Sequence, residues 1–190
     1  MKTKLPRAEA LRIAELFCAV LRPHCQIVEY AGSLRRGKPE VSDIEICYVP
    51  RYASRPKDLF GEETEAVSIV ELFIEAMVDH TIITKRPNAA GVLTWGQLNK
   101  LAVHRESGIP VDFFCEPKPE HWPRTITIRT GPKEFNLRLI MSARRRGISV
   151  HAYGDPMTGA GNNGIIPPVR TEQDFIEACG LRYVHPYKRQ

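Results

Sequence analysis

Apolar residues recur at Leu11, Ala14, Cys18 and Leu21, with Ile13, Phe17 and Val20 widening the stripe, which predicts an amphipathic helix entered at Pro6 and ended by Pro23. Gln26 to Ala31 reads as a short strand that delivers the chain to Gly32. The stretch Gly32-Ser33-Leu34-Arg35-Arg36-Gly37 reads as a tight, glycine-bounded turn, and Asp43-Ile44-Glu45-Ile46-Cys47-Tyr48-Val49 as a second, apolar strand. Pro50 to Asp58, with its prolines and basic residues, reads as a loop. A second amphipathic helix is expected over about Glu63 to Val78, with Val67, Val70, Ile74 and Met77 facing inward. Thr81 to Thr84 is a candidate strand and Pro87 to Gly91 a loop. Leu98 to His104 and Ile109 to Cys115 form a hairpin pattern joined through Arg105-Glu106-Ser107-Gly108.

Beyond the hairpin, Pro117 to Pro123 carries three prolines and marks a hinge or linker. Arg124 to Thr130 predicts a strand, and Pro132 to Arg146 a helix stopped by Gly147. The glycine-rich stretch Gly154 to Gly164 reads as a mobile loop or hairpin tip. Thr171-Glu172-Gln173-Asp174 is a capping-box-like start for a last short helix through Cys179, stopped by Gly180. No internal repeat or low-complexity tract is present. These elements predict an α+β chain, a mixed sheet backed by the two amphipathic helices.

At 190 residues, the chain suits one domain or a large domain with a small appendage. Its 43% hydrophobic and 26% charged content is ordinary for a globular protein with a real core. A formal charge of +5 and a pI near 9.0 favour an anionic partner without identifying it. The five cysteines (Cys18, Cys25, Cys47, Cys115, Cys179) form no C-x-x-C pair and match no zinc spacing, so a reduced, intracellular, cytoplasmic protein is expected. The N-terminus lacks a signal-peptide core, and no stretch approaches the ~20 apolar residues of a membrane span.

The candidate chemistry lies at the glycine turn. Gly32 lets a backbone approach a ligand closely, while Ser33, Arg36 and turn N–H groups offer a cradle for an anion such as a triphosphate. Asp43 and Glu45, two residues apart on a strand, fall on one face, roughly 6.5–7 Å apart. Hard oxygen ligands beside a phosphate cradle suit Mg²⁺. Asp112 is a lone acid in an apolar strand; it is either exposed at an edge, helped by Pro110, or paired, and with Asp43 and Glu45 it makes a third ligand. Arg129 to Arg146 holds six basic residues against one acidic residue. Arg144-Arg145-Arg146 either complements a helix macrodipole or, with Lys133 at the helix start, tracks a nucleic-acid backbone. Lys2, Lys4, Arg7 and the basic residues of 51–57 either add nucleic-acid contacts or, as the ordinary reading of such charges, are solvated surface.

Together these residues resemble the family X DNA polymerases. Gly32 to Gly37 with Asp43 and Glu45 is similar to the family's palm signature, and Asp112 falls on the strand of its third metal-binding aspartate. Thr130-Gly131 followed by Phe135-Asn136 resembles the thumb pattern T-G-x-x-x-F-N, and Arg146-Gly147-Ile148, Tyr153 and the stretch from Thr171 to Pro186 continue the likeness. The resemblance implies a palm over residues 1–119 and a small thumb over 120–190. It implies that Asp43, Glu45 and Asp112 hold two Mg²⁺ ions (Mn²⁺ substituting), with Asp112 also the candidate base for a primer 3′-hydroxyl. Gly32, Ser33 and Arg36 would grip the β and γ phosphates of a dNTP or NTP, and Gly131, Phe135 and Asn136 would lie against its sugar and base. Arg129, Lys133, Arg144, Arg145 and Arg146 would contact primer-template or gapped DNA. The implied activity is template-directed, two-metal DNA polymerisation by a monomer, in gap filling or repair.

The sequence also departs from that pattern. Glu45 stands where DNA-polymerising members usually have aspartate, and aminoglycoside nucleotidyltransferases of the same superfamily carry a similar D-x-E. Ile128-Arg129 replaces the aromatic pair that screens the sugar 2′-OH, and Ile140 replaces an arginine set against the template. The lyase and fingers domains have no counterpart before Pro6. A nucleotidyltransferase acting on a small molecule, RNA end or protein, and a non-catalytic nucleic-acid-binding protein, are the alternatives.

Overall fold

The computed structural model describes residues 3–57, 63–159, 161 and 166–189. In chain order these form β1 (Leu5–Pro6), α1 (Arg7–Leu21), β2 (Cys25–Tyr30), α2 (Gly32–Arg35), β3 (Glu40–Val41), β4 (Ile44–Pro50), β5 (Tyr52–Pro56), β6 (Thr64–Ser68), α3 (Ile69–Asp79) and β7 (Ile83–Lys85). β8 (Asn99–His104), β9 (Pro110–Cys115), α4 (Trp122–Thr130), α5 (Lys133–Arg145), β10 (Ile148–Val150), β11 (Met157–Gly159) and α6 (Glu172–Ala178) follow. The fold is mixed α+β, centred on a five-stranded sheet of order β2-β4-β9-β8-β7. The β4–β9 pair is parallel and the other pairs are antiparallel, so the sheet is mixed as expected.

Side-chain alternation along β4 and β9 sorts the two faces of the sheet. Ile44, Ile46 and Tyr48 of β4, with Val111 and Phe113 of β9, join Ile13, Ala14, Phe17 and Leu21 of α1 and Val70, Ile74 and Met77 of α3 in one core. The intervening residues, Cys47 and Phe114, point the other way and pack with Ala31 and with Ile126 of α4. Glu45 and Asp112 share their parity and so belong to that second face. α1 and α3 therefore back the sheet on one side, while α4 covers part of the carboxylate side. A separate core gathers Phe135, Leu139 and Ala143 of α5 with Ile148, Phe175, Ile176 and Cys179.

Three sequence expectations are corrected. Arg124 to Thr130 is helical, not extended. Thr125, Ile126, Thr127, Ile128 and Thr130 favour strand by their branching, but tertiary contacts decide otherwise. Thr127 Oγ1 donates to Pro123 O at 2.6 Å within the helix, and the buried Arg124 donates to Glu116 Oε2 and to His151 O at 3.0 Å. Within the stretch read as a loop, Tyr52–Pro56 is a strand, because it pairs in register with Thr64–Ser68 as a two-stranded ribbon. That pairing also shortens the second helix, which begins at Ile69 and leaves Val67 in the ribbon.

Other boundaries agree with the sequence to within a residue or two. The capping box at Thr171 is present, with Thr171 Oγ1 accepting from Asp174 N at 3.1 Å and Asp174 Oδ2 accepting from Thr171 N at 2.9 Å. The glycine-rich stretch contributes the tip and second arm of the β10–β11 hairpin, with residues 160 and 162–164 outside the described set. Lys2 and Asp58 also lie outside it. Among the described residues no helix is long and apolar enough to cross a membrane, and the five cysteines are free.

Candidate active site

The glycine turn closes into one turn of helix, α2, set between β2 and β4. Ala31 N–H donates to Glu45 O at 2.8 Å, so the turn is tied to β4 at the carboxylate itself. Gly32 has φ +61°, and a Cβ placed there would run into Glu45 Oε2. Only glycine serves at this position, both for its backbone and for the carboxylate over it.

Gly32, Ser33 and Arg36 form one wall of a cleft of about 460 Å³ that also takes in Ser42, Asp43 and Glu45. The opposite wall comes from the α4–α5 corner, with Ile128, Arg129, Gly131, Pro132, Lys133, Asn136, Leu137 and Ile140. Segments nearly a hundred residues apart in sequence thus meet across one opening. Arg36 Nη1 bridges the two walls by donating to Thr130 O, and a Cβ on Gly131 would stand 3.4 Å from the same nitrogen.

Three buried polar atoms of this cleft have no partner among the described residues: Ser33 Oγ, Arg36 Nε and Asn136 Oδ1. Asn136 is nevertheless fixed, because its Nδ2 donates to Ile128 O at 2.8 Å. Buried donors and acceptors are almost always satisfied in folded proteins. Ser33 Oγ and Arg36 Nε are open to an acceptor and Asn136 Oδ1 to a donor, so the opening suits a polar ligand.

The carboxylates stand on neighbouring strands. Glu45 of β4 is the register partner of Asp112 of β9, and Asp43 lies one residue before β4. Burial pushes the Glu45 carboxyl up to about 8, with repulsion from Asp43 adding and Arg129 opposing. Burial likewise raises Asp112 to about 6, against the nearby Arg86 guanidinium, which favours its ionised form. Arg36 is pulled below its ordinary value by burial, while Glu45 and Asp43 counter that effect. Three arginines (Arg36, Arg86, Arg129) thus stand among three acids, of which Glu45 is held protonated at neutral pH by its burial.

Of the residues singled out in the sequence, Asp43, Glu45, Gly32, Ser33, Arg36, Arg129, Gly131, Lys133 and Asn136 come together around the cleft. Asp112 is beside them in the sheet but is 8% exposed and hydrogen-bonded by Arg86 at 2.6 and 2.7 Å. Phe135 turns into the core beneath the Arg189 guanidinium, 4.8 Å from its ring centroid. Arg144, Arg145 and Arg146 stand at the far end of α5, roughly 16 Å along its axis from Lys133. Arg146 donates to Glu177 O at 3.1 Å.

Arg129 is held more firmly than its sequence position suggests. Its guanidinium lies 3.5 Å from the Phe114 ring centroid, and its Nη2 donates to Tyr153 Oη at 2.9 Å. The sequence reading missed Arg86 and the Phe114–Tyr153 seat of Arg129. Pairing β7 with β8 from the sequence would have exposed the first; the second depends on the helical form of α4.

The three carboxylates offer the hard oxygens that Mg²⁺ prefers, and the strand register sets two of them side by side. The side chains are not drawn together around an ion, since among the described residues no group of three or more His, Cys, Asp or Glu stands at metal-holding spacing. In donor chemistry and strand placement they fit such a cation; in side-chain arrangement Asp112 is turned to Arg86.

No protein-family model matches the chain. The chain is similar to the DNA polymerase/3′-5′ exonuclease PolX of Bacillus subtilis (strain 168), at 24% identity over 190 residues, an alignment covering 98% of this chain and 29% of that protein. The relationship is distant, and the chain spans less than a third of its relative's length. The mixed five-stranded sheet and its helices are compatible with a nucleotidyltransferase-like fold.

Proposed function

We propose that the chain is a nucleotidyltransferase unit that adds nucleotides to the 3′-hydroxyl of a DNA primer under template direction, a polymerase of the family X type acting in gap filling or repair. Residues 1–119 are its palm and 120–190 its thumb. The observation that carries this reading is the cleft in which Ser33 Oγ, Arg36 Nε and Asn136 Oδ1 stand buried without partners beside Asp43 and Glu45. The likeness to PolX along nearly the whole chain supports it.

Ser33 and Arg36 would hold the β and γ phosphates by charge-assisted hydrogen bonds. Gly32, with φ +61°, would let the backbone approach them closely. Asn136 would present its free Oδ1 to the sugar or base, and Gly131 would leave room for it. Asp43, Glu45 and Asp112 would hold Mg²⁺, which when bound stabilises charge on the transferring phosphoryl group and its leaving group. Asp112, on the strand beside Glu45, would by its position accept the primer hydroxyl proton. Arg129, fixed on Phe114 and Tyr153, is a constant positive charge beside the carboxylates.

A transferase acting on another acceptor is the second reading, favoured by Glu45 and by Ile128-Arg129 on the cleft wall. The test is extension of a labelled primer on gapped and recessed templates with Mg²⁺ and single dNTPs or NTPs, beside Asp43→Asn. Templated extension that vanishes in the variant is expected. Absent extension on every DNA, with nucleotide still bound, would transfer the reading to a different acceptor.

A further inference from the structure

Asp112 sits in a row that crosses the sheet. Arg86, the residue after β7, donates its backbone N–H to Leu101 O at 2.9 Å. Leu101 of β8 is the register partner of Asp112, and Asp112 that of Glu45. Residues directly opposite one another in a sheet share a face. The row therefore places one guanidinium and two carboxylates on the same side, with Leu101 between the arginine and the first acid.

The three guanidinium nitrogens of Arg86 are all engaged. Nη2 donates to both Asp112 oxygens at 2.6 and 2.7 Å, Nε to Ala102 O at 3.2 Å, and Nη1 to Pro87 O at 3.3 Å. Held by two carbonyls besides the carboxylate, the guanidinium is the fixed member of the pair. Asp112, with two side-chain torsions, is the member able to turn. Its side chain is 11% exposed and that of Arg86 26%, so the pair is shielded from competing water. A carboxylate whose two oxygens both serve a guanidinium does not also present them to a cation lying between Asp43 and Glu45. Among the described residues no three acids stand at metal-holding spacing.

We propose that Arg86 is a positioning residue that holds Asp112 away from the Asp43–Glu45 pair, so that a divalent cation must displace the guanidinium from Asp112 to complete its ligand set. The exchange sets the cation affinity of the site and keeps a buried carboxylate paired in both states, which is how such groups are tolerated. This rests on Asp43, Glu45 and Asp112 being the ligands.

The experiment follows the thermal unfolding midpoint of metal-free protein as Mg²⁺ alone is added at pH 8.5, in wild type, Arg86→Met and Asp43→Asn. A cation that binds the folded state raises the midpoint with its concentration, so the half-saturating Mg²⁺ is read directly. Arg86→Met is expected to lower the metal-free midpoint and to reach half-saturation at about fivefold less Mg²⁺ or lower, because the competing cation is gone. An unchanged or higher half-saturating concentration overturns the proposal. A second measurement uses wild-type protein only: the ¹⁵N side-chain resonance of Arg86 Nε shifts on saturation with Mg²⁺ as Nη2 loses its partner, and a resonance unmoved at saturation overturns the exchange. If Mg²⁺ fails to stabilise wild type beyond Asp43→Asn, the ligand assignment falls and this inference with it. If Mg²⁺ stabilises wild type and Arg86→Met at the same concentration, only the inference falls.

Discussion

Gly32 lies directly under the Glu45 carboxylate, close enough that any Cβ at position 32 would run into Glu45 Oε2. The residue that bends the anion cradle and the residue that faces it are thus one packing unit. Gly32→Ala must either push the carboxylate aside or shift α2, and it also places a side chain at φ +61°. The expected cost is about 1–3 kcal/mol of stability, measured by urea unfolding. Triphosphate binding, measured by calorimetry, should fall by more than the stability loss explains. A variant with wild-type nucleotide affinity would separate the turn from the ligand site.

Glu45 makes the metal-free protein sensitive to alkali. Its folded value is about 8 against an ordinary 4.5, so between these pH values the folded chain keeps a proton that the unfolded chain has released. Folding then weakens as pH rises through that window. In EDTA the wild-type unfolding midpoint should fall from pH 5 to pH 8 more steeply than that of Glu45→Gln, which has no such proton to lose. Parallel curves would mean that Glu45 is already ionised in the folded chain. With Mg²⁺ present the order should reverse, because binding takes the ionised form.

The glycine turn, the acid pair and the hairpin bearing Asp112 were legible in the sequence, because each is a local pattern with its own period or spacing. What escaped was non-local. The 52–56 strand exists only through its partner at 64–68, and Tyr52, Arg55 and Pro56 carry no alternation that would announce it. The α4 helix runs against the branching of Thr125, Ile126 and Thr127 because Arg124 finds Glu116 and His151 only once the chain is folded. Arg86 reaches Asp112 across an intervening strand, a relation fixed by register alone.

Glu172 joins the α2 turn to the C-terminal core. Its carboxylate accepts from Arg35 Nη1 and Nη2 at 3.1 and 3.0 Å and from the fully buried Arg189 Nη1 at 2.8 Å. Burial alone would raise this carboxyl, but the two arginines hold it below the ordinary carboxylate range. A depressed acid contributes stability that is complete above its unfolded value of 4.5 and lost as pH falls through the folded value. Glu172→Ala leaves two guanidinium groups facing each other, and at pH 7 it should cost about 3–5 kcal/mol in urea unfolding. The gap to wild type should narrow below pH 4.5. A constant gap down to acid unfolding would assign the loss to packing rather than charge.

The two ends of the basic cluster on α5 face different ways, which separates the arginines that the proposed function would set against DNA from those that pack within the fold. Eleven residues make about three helical turns, so Arg144 lies on the same side as Lys133, in line with Leu137 and Ile140 of the cleft wall. Arg146, roughly 200° further around the axis, points instead to α6, where it donates to Glu177 O and stands close to Gly180. Each phosphate contact on duplex DNA contributes about 0.9 to the slope of log affinity against log salt. Arg144→Ala should therefore lower that slope by about 1 and weaken DNA binding at low salt with no change in the unfolding midpoint. Arg146→Ala should do the reverse, lowering the midpoint and leaving the slope intact. Equal effects of both on the slope would show that the basic cluster acts as a diffuse charge, with no register between α5 and the nucleic-acid backbone.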